Sequence, residues 1–314
     1  MYTTNEGKDF VLGYGGDVER VVLLGTKEFF QKLCTANTIF MDGFKIKSEC
    51  KLFKYLYTFH CLVGEKIITT TYALLYDNSE EAYSKMFQIM MFVANKNKMK
   101  FNPGKIYTDM EVNLIPAIEN TVSSNNIKMQ LSLYHFVNAI WNKVQSLGLS
   151  QNDDVNIEKT IRRICLLGMI PVEQIDDIWI KIKEEAPQNE NLSELISYVT
   201  KTLMITNEGR EYNKVAWNYY NSENIIKSIN FSTGWNDYIN ENINNSVLDI
   251  KNLILKLKNK NLGFEMEIIT NQEKSSKIAK IPKKFKAIEE KFKHAKERFE
   301  NGTTSAIEYL DEMI

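Results

Sequence analysis

Thr38-Ile39-Phe40-Met41-Asp42-Gly43-Phe44-Lys45 and Lys105-Ile106-Tyr107-Thr108-Asp109-Met110-Glu111 are two short apolar runs, bounded by turn residues and each ending in an aspartate. A buried strand delivers a carboxylate to the edge of a sheet in this way. Between them lie two alternating segments, Leu52 to Val63 and Lys66 to Tyr76, and an amphipathic helix from Glu80 to Asn95. The order is strand, strand, strand, helix, strand, and a right-handed crossover would return the last strand beside the first. Asp42 and Asp109 would then be neighbours. Adjacent carboxylates repel unless a cation sits between them, which points to a hard metal bound through oxygen, magnesium above all. Taken singly, either aspartate reads as an ordinary cap of a turn or helix.

Working outward, Leu52 to Val63 carries Phe53, Tyr55, Tyr57, Phe59 and Cys61 on one face and Lys54, Leu56, Thr58, His60 and Leu62 on the other. Both faces are largely apolar, so a central strand is expected. His60 is read as a hydrogen-bonded packing residue and left outside the site. Ser79 is positioned to cap the helix after it, with Glu80 and Glu81 at its positive end and a stripe of Tyr83, Met86, Phe87, Met90 and Ala94. Asn102-Pro103-Gly104 turns the chain into the second aspartate strand. Asp109 could cap the helix that follows through Ala117 and Ile118, and Glu111 reads as an acid of its first turn. Met129 to Leu133 is expected as another strand, feeding a helix from Phe136 to Leu147.

On the amino-terminal side, Val21 to Gly25 predicts a short strand and Thr26 caps a helix through Leu33. Val11-Leu12-Gly13-Tyr14-Gly15-Gly16 is glycine-rich but lacks a Gly-Lys-Ser/Thr ending, so a plain turn is expected rather than a phosphate loop. Four cysteines, Cys34, Cys50, Cys61 and Cys165, have no Cys-x-x-Cys spacing; they suggest buried free thiols and neither zinc nor a disulfide frame. In 314 residues, 39 Lys and Arg face 40 Asp and Glu, a net charge of −1, so nucleic-acid contact would have to come from local patches. The polar start is not a signal peptide, and the apolar run Phe87 to Ala94 is too short to span a bilayer, so a soluble intracellular chain is expected.

Beyond Gln151 the alternation gives way to helical stripes, with Ile157, Ile161 and Ile164, then Ile175, Ile178, Trp179 and Ile182, then Leu192, Leu195, Ile196, Val199 and Leu203. The last third is lysine-dense. Lys280, Lys283, Lys284, Lys286 and Lys291 are candidates for DNA phosphate contacts, with Lys293 and Lys296 on the same wet face opposite Phe285, Ile288, Phe292 and Phe299. Interspersed glutamates fit a plain solvated face equally well.

Phe40-Met41-Asp42-Gly43-Phe44-Lys45, Leu56-Tyr57-Thr58-Phe59-His60, Tyr72-Ala73-Leu74-Leu75, Tyr107-Thr108-Asp109-Met110-Glu111 and Leu133-Tyr134-His135-Phe136 together resemble the Mutator-like element (MULE) transposase family. The resemblance extends through Trp217-Asn218-Tyr219-Tyr220, Thr233-Gly234-Trp235-Asn236 and the ending Thr304 to Met313, covering most of the chain. It implies an α/β, ribonuclease H-like mixed sheet with an all-helical insertion and a helical tail. Residues 1–150 would form the first part of the core, 151–224 the insertion, 225–265 the return to the core, and 266–314 the basic tail. It also implies a DDE-type DNA transposase of the nucleus, acting on transposon-end and target DNA, with a homodimer as the assembly considered. Asp42 and Asp109 would hold two magnesium or manganese ions. The family has a glutamate immediately before Gly-Trp-Asn, where this chain has Thr233; Asp237, four residues on, is the candidate displaced third acid. A family cysteine three residues before His135 is replaced by Ser132, and the family's separate zinc module has no counterpart here.

Overall fold

The computed structural model describes residues 7, 9–18, 20–47, 52–64, 66–109, 111, 113–122, 127–204, 214–222, 225–245, 249–273 and 283–313. Among these residues seven strands form one mixed sheet: β1 (Val11–Gly15), β2 (Val21–Leu24), β3 (Thr38–Lys45), β4 (Tyr55–Val63), β5 (Lys66–Leu75), β6 (Lys105–Thr108) and β7 (Lys128–Leu131). Their spatial order is β1-β2-β5-β4-β3-β6-β7. The pairs β1–β2, β2–β5, β5–β4 and β4–β3 are antiparallel, while β3 and β6 run parallel, with Phe40 opposite Tyr107. The expected return of the second aspartate strand beside the first is therefore present. Val11–Gly15 is a strand and not the expected turn; Gly13 and Gly15 lack the side chains that would collide with or crowd Ile89, so β1 packs closely against the helix below.

That helix, α2 (Glu80–Lys96), is capped by Ser79, whose hydroxyl accepts from the Ala82 N–H. Together with α1 (Lys27–Thr35), capped by Thr26, it covers one sheet face. Tyr83, Met86, Phe87 and Met90 of α2 and Phe30 and Leu33 of α1 pack with Met41, Tyr57, Phe59 and Ile106 of the strands. The opposite face presents Phe44, Leu56, Tyr72 and Leu74. It is covered by Trp235 and Ile239 from α8 (Ile225–Asn242), by Ile243 just beyond it, and by Leu253, Ile254 and Leu257 from α9 (Ile250–Glu273). Burial on both faces explains why β4 and β5 are near-continuous runs of apolar and hydroxyl side chains.

The chain divides into two compact units, residues 1–129 with 231–279 and residues 130–230 with 280–314. From the sequence the first boundary is expected at 150 and the start of the tail at 266. The difference arises because α4 (Leu133–Ser146) belongs to the helical unit, while α9 continues to Glu273 within the sheet unit. The helical unit contains α4, α5 (Val155–Leu166), α6 (Ile175–Glu185), α7 (Glu190–Val199), α10 (Lys283–Glu300) and α11 (Ala306–Met313); α3 (Leu114–Thr121) lies in the sheet unit. The predicted stripes of α5 and α6 are buried, as are Leu192, Leu195, Val199 and Leu203. Arg163, 5 % exposed, pairs bidentately with Asp311 at 2.6 and 2.7 Å and with Glu185 at 2.6 Å, joining α5 to α11 and α6. Planar guanidinium geometry makes this fork-to-carboxylate pairing strong.

Candidate acidic site

Asp42 lies in the interior of β3, opposite Thr58 of β4, and is 2 % exposed. Asp109 follows the last residue of β6 and is 7 % exposed. Continuing the β3–β6 register by two residues sets the backbones of the two aspartates side by side. Their carboxylates have different surroundings. Asp109 Oδ2 accepts from the Gly43 N–H at 3.0 Å, prolonging the β3 ladder where β6 has ended. Its Oδ1 accepts from the Tyr57 hydroxyl at 2.6 Å and the Thr108 hydroxyl at 3.1 Å. Burial, then the Asp109 charge, holds the Tyr57 phenol well above its ordinary value, so it remains a donor. The Tyr57 ring packs edge-on against Tyr83 of α2, on the side of the sheet that α1 and α2 cover. Gly43 makes the approach possible, because a Cβ there would lie 2.5 Å from the Tyr57 ring and 2.9 Å from Asp109 Oδ2.

Asp42 points to the other face. Its Oδ2 is 3.4 Å from His60 Nε2. His60 Nε2 is also 2.8 Å from the Thr58 hydroxyl, and Nδ1 is 2.9 Å from that of Thr69. The Trp235 indole donates to the same Thr58 oxygen at 3.1 Å, and the His60 ring stands edge-on to Phe231 and Trp235 of α8. Burial holds His60 below its ordinary pKa although Asp42 pulls the other way. Sequence reading was right that His60 is hydrogen-bonded, and it missed that the partner cluster includes Asp42. The visible signal was Thr69-Thr70-Thr71, a run of hydroxyls in a strand that is otherwise apolar, facing the Thr58 and His60 strand.

Asp109 is not the N-cap of the following helix: α3 starts at Leu114 with Asn113 at its N-cap. Glu111 also precedes that helix instead of lying in its first turn; it accepts from Asn78 at 3.3 Å, and burial, then Asp109, pushes its carboxyl above the usual range. Thr233 and Gly234 lie within the continuous helix α8, where Thr233 is half-buried and Asp237 exposed. Asp237 therefore does not face the buried carboxylates. His135, half-buried in the first turn of α4, packs its ring against Tyr134 in the helical unit. Lys280 lies outside the described residues. Lys283, Lys284, Lys286 and Lys291 fall on α10, where Lys291 is exposed. Lys296 departs from the expected wet face: its ammonium donates to the Tyr220 carbonyl at 2.7 Å and sits 4.2 Å from that ring's centre.

The resemblance implies a pair of divalent ions at Asp42 and Asp109. Such ions need several oxygens converging on one point. Here the two carboxylates turn to opposite sheet faces, and among the described residues no three His, Cys, Asp or Glu side chains form a metal-holding group. Cys34, Cys61 and Cys165 are free, and burial pushes each thiol up to about 12; Cys50 lies outside the described residues. Among the described residues no helix is long and apolar enough to cross a membrane. No protein-family model, curated protein or solved structure matches the chain.

Proposed function

We propose that this chain is a ribonuclease H-like domain of the MULE transposase type, related to metal-dependent cleavage and strand transfer of transposon DNA but impaired in that chemistry. The observation that carries the reading is the strand order β5-β4-β3-β6-β7, three antiparallel strands joined by a parallel pair, with one aspartate on β3 and another just beyond β6. Thr233 in place of the third acid supports the impairment, since a neutral hydroxyl supplies no charge to a metal. A second reading, a catalytically inactive DNA-binding or protein-interaction module of transposon origin, is favoured by the burial of both carboxylates.

The deciding experiment assays the natural chain, Thr233→Glu, and Thr233→Glu combined with Asp42→Asn for manganese-dependent nicking and binding of duplex DNA. Nicking by Thr233→Glu that disappears with Asp42→Asn supports the first reading. DNA binding by all three without nicking supports the second. Absence of both nicking and DNA binding from every variant counts against a DNA-directed function.

A further inference from the structure

The polar chain around His60 can be followed proton by proton. The Thr58 hydroxyl has one proton, and its oxygen lies 3.2 Å from the Asp42 carbonyl across the β3–β4 ladder. With that proton committed to the carbonyl, the Thr58 oxygen can only accept from its other two neighbours. One is the Trp235 indole, which has no acceptor capacity at all. The other is His60 Nε2, which must therefore carry the ring proton. The same N–H faces Asp42 Oδ2 at 3.4 Å. Nδ1, left with its lone pair, accepts from the Thr69 hydroxyl.

Thr69 reaches the ring because the β4–β5 register slips there. Phe59 is opposite Thr71, but His60 is opposite Thr69, so Thr70 is the extra residue of a β-bulge and its hydroxyl turns to the Phe59 carbonyl. Bulges re-aim side chains in this manner. The opposite tautomer would place the Nε2 lone pair against a carboxylate oxygen and strip the Asp42 carbonyl of the Thr58 proton.

We propose that His60 is a positioning residue for Asp42, locked as its Nε2–H tautomer by a relay that starts at the Trp235 indole, passes through Thr58 and is closed by Thr69 at the bulge. Trp235 stands two residues beyond Thr233, so the helix carrying the third-acid position is tied directly to the strand carrying the first acid. The proposal draws on the functional reading only in treating Asp42 as a site residue, and its test requires no activity.

The test is nitrogen NMR of the full-length, isotope-labelled chain at neutral pH, with His60 distinguished from His135 and His294 by His60→Gln. The expected spectrum has a protonated Nε2 and an unprotonated Nδ1. Trp235→Phe keeps an aromatic ring beside Phe231 but deletes the donor, and should move both the His60 Nε2 and the Asp42 carboxyl-carbon resonances. Thr69→Val should move Nδ1 while leaving the proton on Nε2. A protonated Nδ1 in the natural chain overturns the relay, as does an Asp42 resonance left in place by Trp235→Phe. Should that variant not fold, the natural tautomer and Thr69→Val decide the matter, and an unmoved Nδ1 in Thr69→Val overturns the proposal.

Discussion

The sheet unit and the helical unit solve the problem of burying polar groups in different ways. In the sheet unit Asp42, Thr58, His60, Thr69, Thr108 and Asp109 are buried in or beside adjacent strands, and short side chains hydrogen-bond from one to the next. In the helical unit the buried charge is carried by a long cation, Arg163, which reaches out of the core to two carboxylates that retain contact with water. The difference follows from element geometry. Neighbouring strands hold facing side chains within hydrogen-bond reach of short hydroxyls, whereas helix axes stand 8–10 Å apart and only a long side chain can bridge them. Polar substitutions should therefore cost more in the sheet, and each cost should depend differently on pH.

The largest effect is expected from Asp109→Ala. It leaves the Gly43 N–H and the Tyr57 and Thr108 hydroxyls without this acceptor, and bonds to a charged group contribute about 1.5–3 kcal/mol each. A loss of at least about 3 kcal/mol in urea unfolding is expected; a loss below about 1 kcal/mol would show that Asp109 is not built into the β3 edge.

Arg163→Met should cost less, about 1–3 kcal/mol, because Glu185 and Asp311 are partly solvated and a methionine fills much of the vacated volume. Burial pushes the Asp311 carboxyl up, but Arg163 and Lys159 outweigh it and hold the group below its ordinary value. Stability from a depressed carboxyl is fully present above its unfolded pKa of about 3.9 and is lost as pH falls through the folded value. The difference between the natural chain and Arg163→Met should accordingly shrink only in that acid range. A difference constant from pH 7 down to pH 2 would contradict the ion-pair account.

Asp237→Asn should have the smallest effect, within about 0.5 kcal/mol, since the side chain is exposed on α8. A larger loss, or a change in the His60 resonances, would bring Asp237 into the acidic site after all.

Much of the scaffold was readable from local chemistry. Ser79 and Thr26 cap the helices they precede, and the two-faced apolar pattern of residues 55–63 marks a central strand. The pairing of the two aspartate strands was also readable, because strand order and connection length leave few alternatives. What could not be read was the direction of the carboxylates. Alternation places Asp42 on the α8 face, but Asp109 lies past the end of its strand, where alternation no longer governs, and Gly43 opens a path to the other side. The Thr70 bulge was equally hidden, since nothing in three consecutive threonines says which one is extra. The Arg163 network joins residues distant along the chain, beyond the reach of any helical period.

The sheet unit is made from two stretches of chain, and this has a consequence for its synthesis. Strands β1 to β6 emerge first, with α1 and α2 available to cover one face. The other face, with Phe44, Leu56, Tyr72 and Leu74, must wait for Trp235 and the helix that follows, which come after residues 130–230 in the chain. At about 5–20 residues per second, the intervening roughly 100 residues take about 5–20 s on the ribosome. Throughout that interval the nascent chain carries an aromatic sheet face that its own later helices have yet to cover, a natural landing place for a holding chaperone.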